Sequence, residues 1–384
     1  MPIRSCSLAV RRGRRVRPAI LFVRAAAILS VLGTLAASRP AVAQKVNIGP
    51  NVQVSAARPK DSHSEVIMAA DPLHAERMIA GVHIAYRDTT MGTTSIGYVT
   101  FDGGKTWTVA VEPRDSTSIA DAAVAYGPDG SVYFATLARL GIFRSRDGGR
   151  TWDKPTKVPP AYAWDREYLV TDFTGGKYNG RVYMNATVYP VPAFVDSTAG
   201  GGRGGGGRQS AVGLYTSLDG SNFNIPITRL VLLPEWILGM ANSVVLSDGT
   251  VMTLYGHRKE AEAGGGRGAA AARTPFTTAN YWLEVITSAD GGETWNSAYR
   301  IGDYYMNRPR SEGAVIPHLA VDPGSPLFKD RLYVVWSDFR TGRLEIMLSY
   351  SSDKGRTWSR PNVVSDDRPA ADWEVNGPDN ITPT

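Results

Sequence analysis

The residues whose types and spacing can do chemistry begin with a charged triplet, Asp165-Arg166-Glu167. An Arg between two carboxylates can grip a sugar, and a carboxylate pair formed with Asp88 or Asp121 can perform acid–base catalysis. The alternative is a salt-bridged cap at the start of a strand. We treat Glu167 as a candidate catalytic carboxylate and Arg166 as a candidate substrate-binding residue.

Two further polar residues, Asp121 and His318, also stand at the starts of β-rich runs and are candidate substrate-binding residues. Together with the triplet they predict a polar patch where strands begin, which either binding or catalysis would need. The five His are scattered, and neither a Cys cluster nor a His-Glu-x-x-His motif occurs. The sequence therefore predicts no cofactor and no metal site, with Ca²⁺ held by loop carboxylates left open.

Composition indicates a globular, β-rich chain of 384 residues, with 43% hydrophobic and 20% charged residues. Its net charge of +6 comes from the N-terminus, because residues 1–44 hold eight of the 42 basic residues and no acidic ones. The remainder has 34 basic and 36 acidic residues, a net charge of −2. This balance argues against a nucleic-acid partner.

Residues 1–43 have the three parts of a bacterial export signal. Arginines from Arg11 to Arg17 precede an apolar stretch at roughly residues 25–37, and Ala41-Val42-Ala43 is a typical cleavage site. The alternative is a membrane anchor, but Arg24 and Arg39 bracket an apolar run that is short for a span. We expect a periplasmic or extracellular protein without a stable membrane span after cleavage. The only Cys, Cys6, lies in this leader.

A short repeat organises the rest of the chain. Thr100-Phe101-Asp102-Gly103-Gly104-Lys105-Thr106-Trp107 has three good echoes and one worn copy, around Asp219, that lacks the second Gly and the Trp. The key residues of the copies are Asp102, Trp107, Asp147, Trp152, Asp219, Asp290, Trp295, Asp353 and Trp358. Asp can accept hydrogen bonds from the amides of a tight turn, Gly permits positive φ, and Trp anchors the turn.

This repeat resembles the Asp-box, or BNR, motif of the sialidase-like β-propellers, and the resemblance covers roughly residues 60–384. It implies an all-β fold of six four-stranded antiparallel blades, with each box between a third and a fourth strand. We assign residues 44–62 to an N-terminal extension and 63–384 to the propeller. Gly- and Ala-rich inserts at about 196–210 and 260–279 are predicted to be surface loops between second and third strands.

The last blade is incomplete in this sequence, because the fifth box is followed by only the opening of a sixth first strand. An open ring would expose strand edges and an apolar blade face. Either the remaining strands are missing from this sequence, which we favour, or the segment Lys45–Ser55 helps to close the ring.

The resemblance also implies site residues. Asp88 stands where the family has its acid/base Asp, and Arg258 and Arg340 match two of the three Arg that grip a substrate carboxylate. The family's first Arg motif is absent, since that strand opens with His63-Ser64-Glu65, and Arg87 is a possible substitute. An ordinary loop Asp at 88, a surface Arg at 258 and a structural ion pair at 340 remain alternatives.

Two catalytic parts of the family are not found. The Glu that activates the nucleophile is missing near Met240-Ala241-Asn242-Ser243, where only Glu235 is close, and the Tyr nucleophile should come from the sixth blade. We predict an exported sialidase-like glycoside hydrolase acting on terminal acidic sugars of glycans. The alternative is a non-catalytic propeller that binds glycans or proteins at the cell envelope.

Overall fold

The computed structural model describes residues 49–87, 92–113, 121–137, 141–157, 162–190, 211–223, 229–232, 236–258, 281–305 and 316–366. In these ranges all regular structure is β-strand, and twenty strands form five antiparallel sheets of four. No helix long and apolar enough to cross a membrane occurs in the described part of the chain. The predicted leader lies outside these ranges.

Each sheet is a meander in which consecutive strands pair. The first contains β1 (Ser62–Ala70), β2 (Met78–Ala85), β3 (Thr93–Thr100) and β4 (Thr108–Val111). The second contains β5 (Ala123–Tyr126), β6 (Val132–Thr136), β7 (Gly141–Ser145) and β8 (Thr156–Lys157). The third contains β9 (Tyr162–Thr171), β10 (Val182–Pro190), β11 (Ala211–Ser217) and β12 (Arg229–Leu232).

The fourth sheet contains β13 (Trp236–Val245), β14 (Val251–Arg258), β15 (Tyr281–Ser288) and β16 (Tyr299–Tyr304). The fifth contains β17 (His318–Asp322), β18 (Arg331–Asp338), β19 (Glu345–Ser351) and β20 (Asn362–Val363). One expectation was wrong, because the triplet Asp165-Arg166-Glu167 lies inside β9 and does not open it. The strand begins earlier, since Tyr162 already pairs with Pro190.

Every repeat copy forms the turn between the third and fourth strands of its sheet. In the first copy, Oδ1 of Asp102 accepts hydrogen bonds from the amides of Lys105 and Thr106, both at 2.9 Å, and Oδ2 accepts from the Thr106 hydroxyl at 2.6 Å. The Trp107 indole donates to the carbonyl of Gly104 at 3.1 Å. The side-chain and backbone hydrogen bonds from Thr106 hold the pKa of Asp102 well below its usual range.

The worn copy keeps the turn and replaces the anchor. Asp219 still accepts from the amides of Ser221, at 2.8 Å, and Asn222, at 3.2 Å. Phe223 is buried where the other copies have Trp. In the last copy Lys354 takes the position of the first Gly and adopts φ 60°. The carboxylate network therefore defines this turn more strictly than its Gly and Trp do.

The five sheets pack face to face in chain order. Ile79, Val99 and Val111 of the first sheet share a core cluster with Val124 and Phe134 of the second. Equivalent clusters join the second sheet to the third, the third to the fourth, and the fourth to the fifth. The first strands also contact one another in series, from β1 through β5, β9 and β13 to β17. The sheets are therefore consecutive propeller blades whose first strands are innermost.

The boxes of blades two to five also touch the blade before them. A Cβ built on Gly149 would lie 2.9 Å from Val99, and one built on Gly292 would lie 2.6 Å from Thr216. Both glycines have positive φ, at 104° and 91°. The second Gly of the box is thus required by its backbone conformation and by the lack of room against the third strand of the preceding blade.

Candidate functional site

Three charged residues share an unusual backbone conformation on, or just before, the innermost strands of blades one to three. Glu65, Asp121 and Arg166 have φ of 54°, 51° and 53°. Each lies six residues before the residue whose amide begins the first turn of its blade, at Asp71, Gly127 and Asp172. Left-handed φ costs a side-chain-bearing residue about 1–2 kcal/mol, and such outliers concentrate at functional sites.

The bulges that create these conformations are visible in strand pairing. The register of β1 against β2 shifts between Ser64 and Ile67, on either side of Glu65. The register of β10 against β9 shifts between Asn185 and Thr187, which brackets the position opposite Arg166. A bulge re-aims the side chain it carries, so Glu65 and Arg166 are positioned by the same device, whereas Asp121 lies just before β5.

The three residues are connected across blades, and we call them the axial cluster. The amide of Arg166 donates to Oδ2 of Asp121 at 3.3 Å. The Asp121 carboxyl is hydrogen-bonded to the carboxyl of Glu65, and its backbone carbonyl accepts from the Ser95 hydroxyl. A hydrogen bond between two carboxyl groups requires one shared proton.

Electrostatics agree with a shared proton. Burial, and then the hydrogen bond and the charge of Glu65, raise the pKa of Asp121 to about 6. Burial also raises the pKa of Tyr168 to about 12. Smaller effects on this pKa come from the charges of Arg166, Asp121, Glu167 and Glu65. At neutral pH Asp121 is therefore mostly ionised but still protonated in a fraction of the molecules, and it lies beside Glu65 and the guanidinium of Arg166.

The predicted site residues thus divide into separate groups. The structure brings Asp121 and Arg166 together, and both are partly buried. Glu167 follows Arg166 directly, but it is only 1% exposed, so its side chain lies within the packed blades. His318 opens β17 in blade five, two blades after Arg166, and burial lowers its pKa.

Arg340 forms the structural ion pair that was its alternative role. Its Nε and Nη2 lie 2.8 Å from Oδ1 and Oδ2 of the fully buried Asp338, and Nη2 also donates to the Asp303 carbonyl at 2.8 Å. The hydrogen bonds that Arg340 donates to the Asp338 carboxylate raise the pKa of Arg340 above its ordinary value. This bidentate geometry occupies the guanidinium face that a substrate carboxylate would use.

The remaining candidates are only partly described. Asp88 and Glu235 lie outside the described residues, as does the side chain of Arg258, whose backbone ends β14. Arg87 has an exposed side chain, and its amide donates to Oδ1 of Asp61 at 3.3 Å. The assignments of Asp88, Arg258 and Arg87 remain predictions.

Sequence reasoning missed Glu65, which it treated only as part of an absent Arg motif. The signal was a charged residue at the same distance from the first turn in three blades. In blade four, Asn242 connects its inner strand to that of blade five. Its Nδ2 donates to the carbonyl of Leu319 at 2.6 Å, and its Oδ1 accepts from the amide of Leu319 at 2.8 Å. Polar side chains of inner strands therefore tie each blade to the next.

No group of three or more His, Cys, Asp or Glu side chains among the described residues is arranged to hold a metal ion. The chemistry available to the axial cluster is that of its own carboxyl and guanidinium groups. These can transfer a proton, accept hydrogen bonds from hydroxyl groups and pair with an anion.

Comparisons with known proteins place the repeat and the fold. The BNR/Asp-box repeat model matches residues 98–109, which contain the first turn. No curated protein matches the sequence. Among solved structures, a protein of unknown function from Dyadobacter fermentans matches with a TM-score of 0.50 and 14% identity, over 80% of this chain and 84% of that one.

Two glycan-acting enzymes have lower scores. The Hadza microbial sialidase Hz136 matches with a TM-score of 0.47 and 16% identity, over 79% of this chain and 58% of the sialidase, so this chain spans less than two thirds of it. An α-L-arabinanase from Penicillium chrysogenum matches with a TM-score of 0.44 and 14% identity, over 78% and 79% of the two chains. The first turn thus matches the BNR/Asp-box repeat, the other four turns repeat its carboxylate contacts, and the serial packing of four-stranded sheets is a propeller-type fold.

Proposed function

We propose that this protein is an exported, glycan-acting propeller that binds a terminal acidic sugar at the axial cluster. The observation that carries this proposal is the conjunction of Glu65, Asp121 and Arg166, which come from three neighbouring inner strands and share one strained backbone conformation. Arg166 supplies a permanent positive charge for a sugar carboxylate. The carboxyl pair supplies hydrogen-bond partners for hydroxyl groups, since carboxylates accept and Asp121 also donates where it is protonated, below about pH 6.

The finer proposal is hydrolysis of the sialidase type. Asp121 would act as the general acid, because a carboxyl that titrates near pH 6 is protonated often enough at neutral pH to give up its proton in a reaction. Its proton would pass to the glycosidic oxygen as the bond to the anomeric carbon breaks. Water would then add its oxygen to that carbon and release a proton to a base. Asp88 is our candidate for that second role.

A specific observation favours the alternative, in which the same site binds without hydrolysis. Glycosidases separate their two carboxyl groups by about 5 Å or by about 6.5–9.5 Å, so that the sugar lies between them. Glu65 raises the pKa of Asp121 through a hydrogen bond and through its charge, so the two carboxyl groups are direct neighbours and do not stand on either side of a sugar. This pair is therefore one acid unit, and a hydrolase needs its base from elsewhere.

A panel of sialosides and other acidic glycosides tests the hydrolase with the full chain. Asp121→Asn is expected to lower the rate on substrates with poor leaving groups by about 100-fold or more, and to affect aryl glycosides with good leaving groups much less. Asp153→Asn is the matched control, because Asp153 pairs with Arg146 at the exposed rim. If the panel yields no product with the wild-type protein, the hydrolase proposal fails.

A glycan array distinguishes binding without hydrolysis from the hydrolase proposal. Binding of acidic glycans without turnover, retained in Asp121→Asn and lost in Arg166→Ala, would identify a lectin-like propeller. Absence of binding to any acidic glycan would remove the axial cluster as a sugar site altogether. The proposed export is checked independently by sequencing the N-terminus of the protein secreted by its host, which should begin at Gln44.

A further inference from the structure

Blade one has an apolar face that does not pack on blade two. Ala80, Val82, Ile84, Ile96 and Tyr98 form a separate cluster, and each is 3% exposed or less. The partly buried residues against it include Val54, which precedes the first strand. We call residues 52–61 the N-terminal strap. Because Val54 packs on this face, the strap belongs to the core of blade one and is not a free linker.

A largely buried ion pair fastens the strap. Nη2 of Arg58 lies 2.6 Å from Oε2 of Glu112, whose side chain is 11% exposed. The other carboxylate oxygen of Glu112 accepts a hydrogen bond from the hydroxyl of Tyr86. One carboxylate thus connects the strap to the residue that follows β2. Removal of Arg58 would take the guanidinium away from this buried carboxylate, which is destabilising.

A second set of contacts comes from Asp61. Its Oδ1 accepts the amide of Arg87 at 3.3 Å, and its carbonyl lies 2.9 Å from Nδ1 of His63. Since a carbonyl only accepts, Nδ1 carries the proton, and Nε2 accepts from the Tyr98 hydroxyl at 2.8 Å. Burial raises the pKa of Tyr98 to about 12, so this hydroxyl stays protonated and able to donate.

These contacts meet at the end of blade one that carries the axial cluster. Ser62 pairs with Ala85, so the end of β2 lies beside the start of β1, three residues before Glu65. We propose that the strap is a positioning element, in which Arg58 and Asp61 fix the Tyr86-Arg87 backbone and thereby aim the exposed Arg87 side chain at a ligand of the axial cluster. The role of Arg87 rests on the proposed function, whereas the positioning of its backbone does not.

Amide hydrogen exchange and glycan affinity, measured on the full chain, test this inference. Arg58→Ala and Asp61→Ala are expected to speed exchange of the Arg87 amide by about tenfold or more, because its local opening becomes easier. In Arg58→Lys, the exchange rate of the Arg87 amide should lie between the rates of these variants and that of the wild type. Arg146→Ala is the control, since Arg146 forms an exposed pair with Asp153 in blade two. Asp61→Ala keeps the buried ion pair and serves if Arg58→Ala does not fold.

The affinity for an acidic glycan such as a sialoside should fall in Asp61→Ala by about as much as in Arg87→Ala. An unchanged exchange rate of the Arg87 amide together with a lowered melting temperature would overturn the proposal. The strap would then only cover the apolar face of blade one and would not position Arg87. Unchanged affinity in both strap variants, with a clear loss in Arg87→Ala, would also overturn it. If the wild type binds no acidic glycan, the proposed function fails, and the exchange rates alone decide whether the strap positions Arg87.

Discussion

The amide of Arg166 donates a hydrogen bond to the Asp121 carboxylate, so the innermost strand of blade three is joined to that of blade two at the charged cluster. The same contact helps to keep Asp121 ionisable, because an amide donor and the nearby guanidinium both oppose the rise in its pKa. The acid and the cation of this site are therefore positioned by one another as well as by their own blades.

The raised pKa of Asp121 makes a prediction about stability. The unfolded carboxyl titrates near pH 4 and the folded one near 6, so the folded state loses stability as pH rises from about 4 through 6. Asp121→Asn removes the unfavourable free energy of ionising this carboxyl in the folded state. We expect it to stabilise the protein by about 1–2 kcal/mol at pH 8 and by little at pH 4. Chemical denaturation at both values measures the difference, and an equal effect at both would contradict the shared proton.

Arg166 is expected to discriminate by charge. Arg166→Ala should weaken binding of acidic glycans by about 10- to 100-fold and leave neutral analogues unchanged, since it removes charged hydrogen bonds. Titration calorimetry at low and high salt provides the measurement. Arg300→Ala is the control, because Arg300 lies over Trp282 on blade four.

The left-handed backbone at Arg166 gives a second readout. Arg166→Gly removes the same side chain without the steric cost of positive φ, so it should be more stable than Arg166→Ala by about 1 kcal/mol. Equal stabilities of the two variants would argue against strain at this residue. Equal losses of affinity are expected, because neither variant has a guanidinium.

Arg340 should behave as a structural residue. Arg340→Ala leaves the buried Asp338 carboxylate without its bidentate partner, so we expect a loss of about 2–4 kcal/mol. Adding Asp338→Asn should restore part of the stability, and glycan affinity of the folded fraction should not change. Urea denaturation of the single and double variants tests this. A large affinity loss with little destabilisation would return Arg340 to the substrate-binding role.

The box glycine that rests on the preceding blade is a sensitive position. Gly292→Ala would place a methyl group 2.6 Å from Thr216 at φ 91°, and we expect a loss of about 2–4 kcal/mol. Gly302→Ala is the matched control, since nothing lies within 4 Å of its Cβ position. Its effect should stay within about 0.5 kcal/mol. Comparable losses in both variants would contradict close packing at Gly292.

The blades were predictable because the box is a local signal of fixed position. Once the turn is located, the third strand precedes it, as β15 precedes the turn at Asp290 and β19 precedes the turn at Asp353. The axial cluster was only half predictable. Charges at strand starts pointed to Asp121 and Arg166, but a left-handed residue within a strand leaves no alternation pattern, so Glu65 was missed.

Arg340 shows a different limit of sequence reasoning. An Asp-Phe-Arg loop is compatible with a substrate-binding Arg and with an internal ion pair, and only the geometry of both side chains separates the two. In the structure both nitrogens of the fork face Asp338, which is the geometry of the ion pair, and the substrate-binding role stays a prediction. By contrast, the turn of the worn box could be anticipated from Asp219 alone, since its carboxylate contacts lie within the same short segment.

The packing of the boxes on the preceding blade has a consequence for biosynthesis. The boxes of blades two to five rest on the blade that was translated before them, so that blade receives its outer cover only after the next box has left the ribosome. Completion of native packing therefore trails synthesis by about one blade, and the growing chain always ends in a blade with one bare side. A pause in translation at slow codons just after a box would give the preceding blade time to complete its packing.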